Sequence, residues 1–153
     1  MDCSSEDPEP IGNPEWDSLR DVGAGVYLEW KKYDVLREIQ GTPLANNPDH
    51  VKNAKDEKRW IDSDLFRLLV LHNYGGVYFD ADVILLRDLA PLLSREWLYQ
   101  WGSSCNYANG ALANIHKKSE LSYRFLRKLA TTKPGLNSFD WGRNLYFQVR
   151  RNK

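Results

Sequence analysis

The 153-residue sequence is poor in the residues that staple a fold or cage a metal, with two cysteines, Cys3 and Cys105, and three histidines. Two cysteines make neither a disulfide framework nor a cysteine metal site, and the redox compartment is not legible from them. No run of about 18 apolar residues occurs, so no membrane-spanning helix is expected. The acidic start lacks the basic and apolar regions of a signal peptide. Lysine plus arginine and aspartate plus glutamate number 21 each, so the total charge gives no pull toward nucleic acid. Internal repeats and low-complexity segments are absent as well.

What is present describes a folded chain. Hydrophobic residues make up 42% and aromatics 12%, which is the composition of a globular protein and enough for one domain with a real core. The charge is unevenly placed: residues 1–15 hold five acids and no base, whereas from Lys117 onward there are ten bases and two acids. That basic end is either a solvated surface or an attraction for an anionic donor or membrane face. Residues 1–15, with Pro8, Pro10, Gly12 and Pro14, form a flexible acidic leader, and 16–153 form the domain.

Within the domain, Val26 to Ile39 supplies a helix or strand leading to a Gly41-Thr42-Pro43 turn, and 45–58 is a polar surface connection. Leucines at 65, 68, 69 and 71 with Val70 have helical spacing over about Asp62 to Asn73. Asp62 or Ser63 can cap its start; Asn73 with Gly75 can end it. Val77 to Phe79 and Val83 to Leu86 read as strand, closed by Asp88 to Pro91. Leu121, Phe125, Leu126 and Leu129 mark a second amphipathic helix.

The most informative run is Asn73-Tyr-Gly-Gly-Val-Tyr-Phe-Asp-Ala-Asp-Val83. On an extended chain Asp80 and Asp82 leave the same side with Cβ atoms roughly 7 Å apart. One metal ion or one diphosphate could then engage both, at the mouth of a core built by the apolar residues on either side. Oxygen ligands of this kind suit Mn²⁺ or Mg²⁺. Upstream, Asp64 and Arg67 share one helix face, either as a local ion pair at a helix start or as ligands. Gly75 and Gly76 are architectural, a helix stop and a tight turn. Tyr78, His50, His72 and His116 pack or face solvent.

Ser63-Asp64-x-x-Arg67, Tyr74-Gly75-Gly76-Val77-Tyr78-Phe79 and Asp80-Ala81-Asp82-Val83 resemble the sugar-binding region of glycosyltransferases with an Asp-x-Asp motif, notably the alpha 1,4-glycosyltransferase and Och1-like mannosyltransferase group. The likeness extends to Gly41-Thr42-Pro43-Leu44, to Asn109-Gly110-Ala111 and to Phe139-Asp140-Trp141-Gly142-Arg143-Asn144. It implies an α/β fold of the GT-A, Rossmann-like nucleotide-diphosphosugar transferase type, here partial and lacking part of the nucleotide-binding N-terminal region. It also implies metal-dependent, retaining transfer of a hexose from a nucleotide-diphosphate sugar to a glycan or glycolipid hydroxyl. By the same resemblance Asp82 ligates Mn²⁺ (or Mg²⁺), and Asp80 meets ribose or sugar and the metal through water. Asp64 accepts from sugar hydroxyls, Arg67 addresses sugar and diphosphate, and Asn109 is either a substrate contact or part of a plain turn. No residue is assigned as nucleophile.

Such enzymes work in the Golgi or another secretory-pathway lumen behind an N-terminal anchor. This chain carries no such anchor, as expected of a fragment, an incomplete gene model or a soluble relative. Membrane association is expected only through a missing anchor or an acceptor lipid, and no nucleic acid partner is expected. The Gly-Pro that should follow Asn144 is replaced by Leu145-Tyr146. Asn144-Leu-Tyr-Phe-Gln148 also matches the core of an engineered protease site, but Arg143 and Val149 depart from it, so the match reads as coincidence. A haloacid-dehalogenase-type phosphatase would share Asp80-x-Asp82 but needs a later paired acidic motif, and the acids after Asp82 are isolated. The other alternative is a non-catalytic, degenerate transferase that binds a nucleotide sugar or glycan.

Overall fold

The computed structural model describes residues 29–48, 51, 59–100, 108–132, 145, 146 and 149, with positions 12, 14, 17 and 18 besides. The acidic leader apart from 12 and 14, His50 and the 139–144 motif lie outside the described residues. The chain divides into two compact units, Met1–Asp34 and Val35–Lys153, and the elements below belong to the second.

A one-turn helix α1 (Val35–Glu38) runs into the expected turn. Gly41 takes a positive φ of 71°, and Thr42 Oγ1 accepts the Leu44 N–H to cap the 3-10 turn Pro43–Asn46. Proline suits that first position because its missing N–H would be unpaired anyway.

Helix α2 (Arg59–Tyr74) buries Leu65, Leu68, Leu69 and Leu71 on one face. It begins upstream of Asp62, so Asp62 lies in its first turn and neither Asp62 nor Ser63 caps it. No Gly or Pro separates Arg59 from Ser63, so nothing in the chain stops the helix from extending back. Its end is the expected one: Gly75, at φ 75°, donates its N–H to Leu71 O (2.9 Å). A Cβ there would lie 2.7 Å from the Lys117 backbone nitrogen, so space as well as φ demands glycine.

Strand β1 (Gly76–Phe79) follows at once, and later β2 (Trp97–Gln100) and β3 (Ala108–Ile115) complete a three-stranded antiparallel sheet in the order β1-β3-β2. Gly76 faces Ile115 and Phe79 faces Leu112; Trp97 faces Asn114, and the β2 register slips between Leu98 and Tyr99. Val83–Leu86, expected as strand, is not one. The Val83 N–H bonds Asp80 O (3.0 Å), which turns the chain out of the β1 line. Beyond it Ile84 and Leu86 are 82% and 90% exposed, without the ladder a strand requires.

Helix α3 (Glu120–Thr131) is capped by Ser119 Oγ, which accepts the Ser122 N–H, and it buries Phe125, Leu126 and Leu129. One hydrophobic core joins α2, β3 and α3 with Leu44, Val51 and the late residues Leu145, Tyr146 and Val149. Polar links cross it at one end: Asn73 donates to both the carbonyl and the carboxylate of Glu38, Tyr74 donates to the same carboxylate, and Lys118 donates to Asn73. His72 packs as expected, its Nδ1 2.7 Å from Ser122 Oγ. Burial, with help from Lys118, lowers its pKa and keeps it neutral. His116 is exposed. Among the described residues no helix is long and apolar enough to cross a membrane.

Candidate functional site

Arg67 sits on the buried face of α2 with only 6% of its surface exposed. A guanidinium that deep is costly unless paired and hydrogen-bonded. Nη1 donates to Asp64 Oδ1 at 3.0 Å, one turn back on the same helix, and Nη2 donates to Asp80 Oδ1 at 3.1 Å, just past the end of β1. The cation also lies 4.9 Å above the Tyr78 ring, and the Tyr78 hydroxyl donates to the same Asp80 oxygen at 2.8 Å. Asp80 is fixed through its backbone too, its N–H bonding Ala111 O at 2.8 Å. The ion pair foreseen from the Asp64/Arg67 spacing is therefore real, and it is one arm of a hub joining α2 to the end of β1.

The electrostatics follow the burial. Burial pushes the Asp64 carboxyl up to about 6, against the pull of Arg67 and with repulsion from Asp80 adding to it. Burial also draws the Arg67 pKa down, but Tyr146, Asp64 and Asp80 together outweigh it and leave the value above normal. Arg67 is thus a permanent charge. Tyr78 is raised by burial and by its bond to Asp80.

Two residues of this hub went unrecognised in the sequence. Tyr146 is buried with its hydroxyl 3.5 Å from Arg67 Nη1 and its ring edge-on to Phe125, at 5.2 Å and 81°. Burial raises its phenol to about 12, so it stays protonated. Gly110 lies on β3 where a Cβ would overlap both Arg67 Nη1 and the Tyr146 hydroxyl. The apolar spacing Leu145, Tyr146, Val149 could have marked Tyr146 as buried; nothing local points it at a residue 79 positions away. Leu145-Tyr146, a departure from the resembled motif, is core.

Asp82 departs from expectation. The alternation that would put it beside Asp80 needs an extended chain, but β1 ends at Phe79 and Asp82 occupies the following turn, exposed. The apolar run after it does not form a core mouth. Asn109 lies in β3 opposite Tyr99, so it belongs to a strand rather than a turn. No group of three or more His, Cys, Asp or Glu among the described residues could hold a metal. Among the described residues, the pair after β1 offers a hard cation two carboxylates, a number typical where substrate phosphates and water supply the remaining positions of Mg²⁺.

Residues 25–100 match the family described as glycosyltransferase sugar-binding region containing DXD motif. Over 58 residues, 37% of this chain, the sequence is 40% identical to the human alpha-1,4-N-acetylglucosaminyltransferase. Over 57 residues it is 40% identical to an uncharacterized protein of Arabidopsis thaliana. The matched stretches span 17% and 9% of those proteins. No solved structure matches the chain. The helix α2, its glycine stop, β1 and the acids beyond it all fall inside the matched stretch, and residues 25–100 belong to the glycosyltransferase sugar-binding regions that contain a DXD motif.

Proposed function

We propose that this chain is part of a metal-dependent, retaining hexosyltransferase of GT-A type, acting in a Golgi-type lumen on a nucleotide-diphosphate sugar and a glycan or glycolipid hydroxyl. One observation carries the reading: the carboxylate pair after β1 is held on one side and open on the other. Both bonds that described residues make to the Asp80 carboxylate fall on Oδ1. Its Oδ2 can therefore turn to a cation or a sugar hydroxyl while the residue stays clamped, and the exposed Asp82 supplies a second anionic oxygen.

A divalent cation at this pair would neutralise the charge developing on the departing diphosphate. The chain's own residues orient. Asp64, held by Arg67, is a hydrogen-bond acceptor for donor hydroxyls. Arg67 spends its Nη atoms on Asp64, Asp80 and Tyr146, so we assign it to holding acids in place rather than to gripping diphosphate. Asn109 keeps the role of a substrate contact, now from a strand.

Calorimetry of Mn²⁺ with a nucleoside diphosphate tests the site: Asp82→Asn should abolish metal-dependent binding and leave the fold intact. Equal binding by variant and parent would remove Asp82 from the site. Release of nucleotide from a panel of UDP- and GDP-sugars with Mn²⁺ then separates turnover from a binding-only domain.

A further inference from the structure

Arg67 is long and has many rotamers, yet three carboxylate and phenol oxygens depend on where its guanidinium stops. On the side of β3 the wall is Gly110 and Tyr146. A Cβ at Gly110 would overlap Arg67 Nη1 and the Tyr146 hydroxyl, and would lie 3.0 Å from Arg67 Cδ. Both polar groups therefore occupy the volume that a missing side chain vacates. Tyr146 is itself immobilised by burial and by its edge-on contact with Phe125. Among the described residues Arg67 Nε has no hydrogen-bond partner, so the guanidinium is held through its Nη atoms alone. At 3.5 Å the Tyr146 bond is weak. Its hydroxyl acts mainly as a stop, keeping Nη1 on Asp64 and hence Nη2 on Asp80.

We propose that Tyr146, admitted by Gly110, is a positioning residue for the carboxylate site: it locks Arg67 in the orientation that presents Asp80. The proposal rests on the functional reading above for its consequence in binding, but not for the lock itself.

Two measurements separate them. In the metal-free protein, NMR of the Arg67 guanidinium should show distinct Nη resonances, the mark of hindered rotation, and these should merge in Tyr146→Phe, which keeps the ring. Mn²⁺-dependent nucleoside diphosphate binding should weaken about fivefold in Tyr146→Phe, because Asp80 loses its fixed orientation, an effect on the scale of one net hydrogen bond at that carboxylate. In an Arg67→Lys background the same substitution should change binding less than about twofold, because residues acting through one another are not additive. A hindered guanidinium freed by Tyr146→Phe supports the lock even if the parent binds no Mn²⁺ complex, an outcome that would overturn the transferase reading alone. Equal rotation in parent and Tyr146→Phe, or an undiminished effect of Tyr146→Phe in the Arg67→Lys background, would overturn the lock.

Discussion

The two ends of the Asp-x-Asp stretch live in opposite environments. Asp80, with Asp64 and Arg67, belongs to a cluster set into the packing of α2 and β3; Asp82 and the stretch from Ile84 to Leu86 are exposed. In the first region the buried Arg67 cation is shared by two carboxylates, because a buried charge left unpaired would cost several kcal/mol. In the second no such demand exists, and Asp82 is left at liberty to meet an ion. Under the proposed function the two acids would divide the work, Asp80 placed beforehand and Asp82 accessible.

The contrast is broken most severely by Arg67→Met, which keeps volume and leaves Asp64 and Asp80 without their cation. Loss of about 3–5 kcal/mol in urea denaturation is expected, as for other severed buried pairs; a loss below about 1 kcal/mol would reduce the hub to a surface-like ion pair.

Asp64 gives the next effect, through pH. Its folded-state pKa of about 6 lies above the ordinary 3.8, so the folded protein binds a proton that the unfolded chain has released. That stability is fully present below about pH 4 and is lost as pH rises through about 6. The shift corresponds to a change on the order of 3 kcal/mol. Asp64→Asn should flatten the stability profile across this window, and a profile as steep as the parent's would place the titration elsewhere.

Gly110→Ala should cost about 1–3 kcal/mol by overpacking against Arg67 and Tyr146. Combining it with Tyr146→Phe should recover part of that loss, since one of the two overlaps is removed; strictly additive losses would mean that the β3 backbone, not the hydroxyl, yields. Smallest of all, Asp82→Asn and Leu86→Ser should each shift stability by less than about 0.5 kcal/mol. A larger shift in thermal or urea unfolding would mean that the open region is structurally engaged.

Local pattern carried much of this protein. The leucine spacing of α2, the glycine stop at Gly75-Gly76, the Gly41-Thr42-Pro43 turn and the buried face of α3 are set by short-range periodicity and backbone φ, and these are legible from neighbouring residues. The pairing of Asp64 with Arg67 belongs with them, because a helix fixes which residues share a face. Tertiary structure decided the rest. Val83–Leu86 has the apolar content of a strand but no ladder to join, whereas the alanine- and asparagine-rich β3 is a strand because two others flank it. Strand formation depends on partners distant in sequence. For the same reason the convergence of Arg67, Asp80, Gly110 and Tyr146 could not be read along the chain: a buried charge is satisfied by whatever the fold brings within about 3 Å, and that is a property of packing.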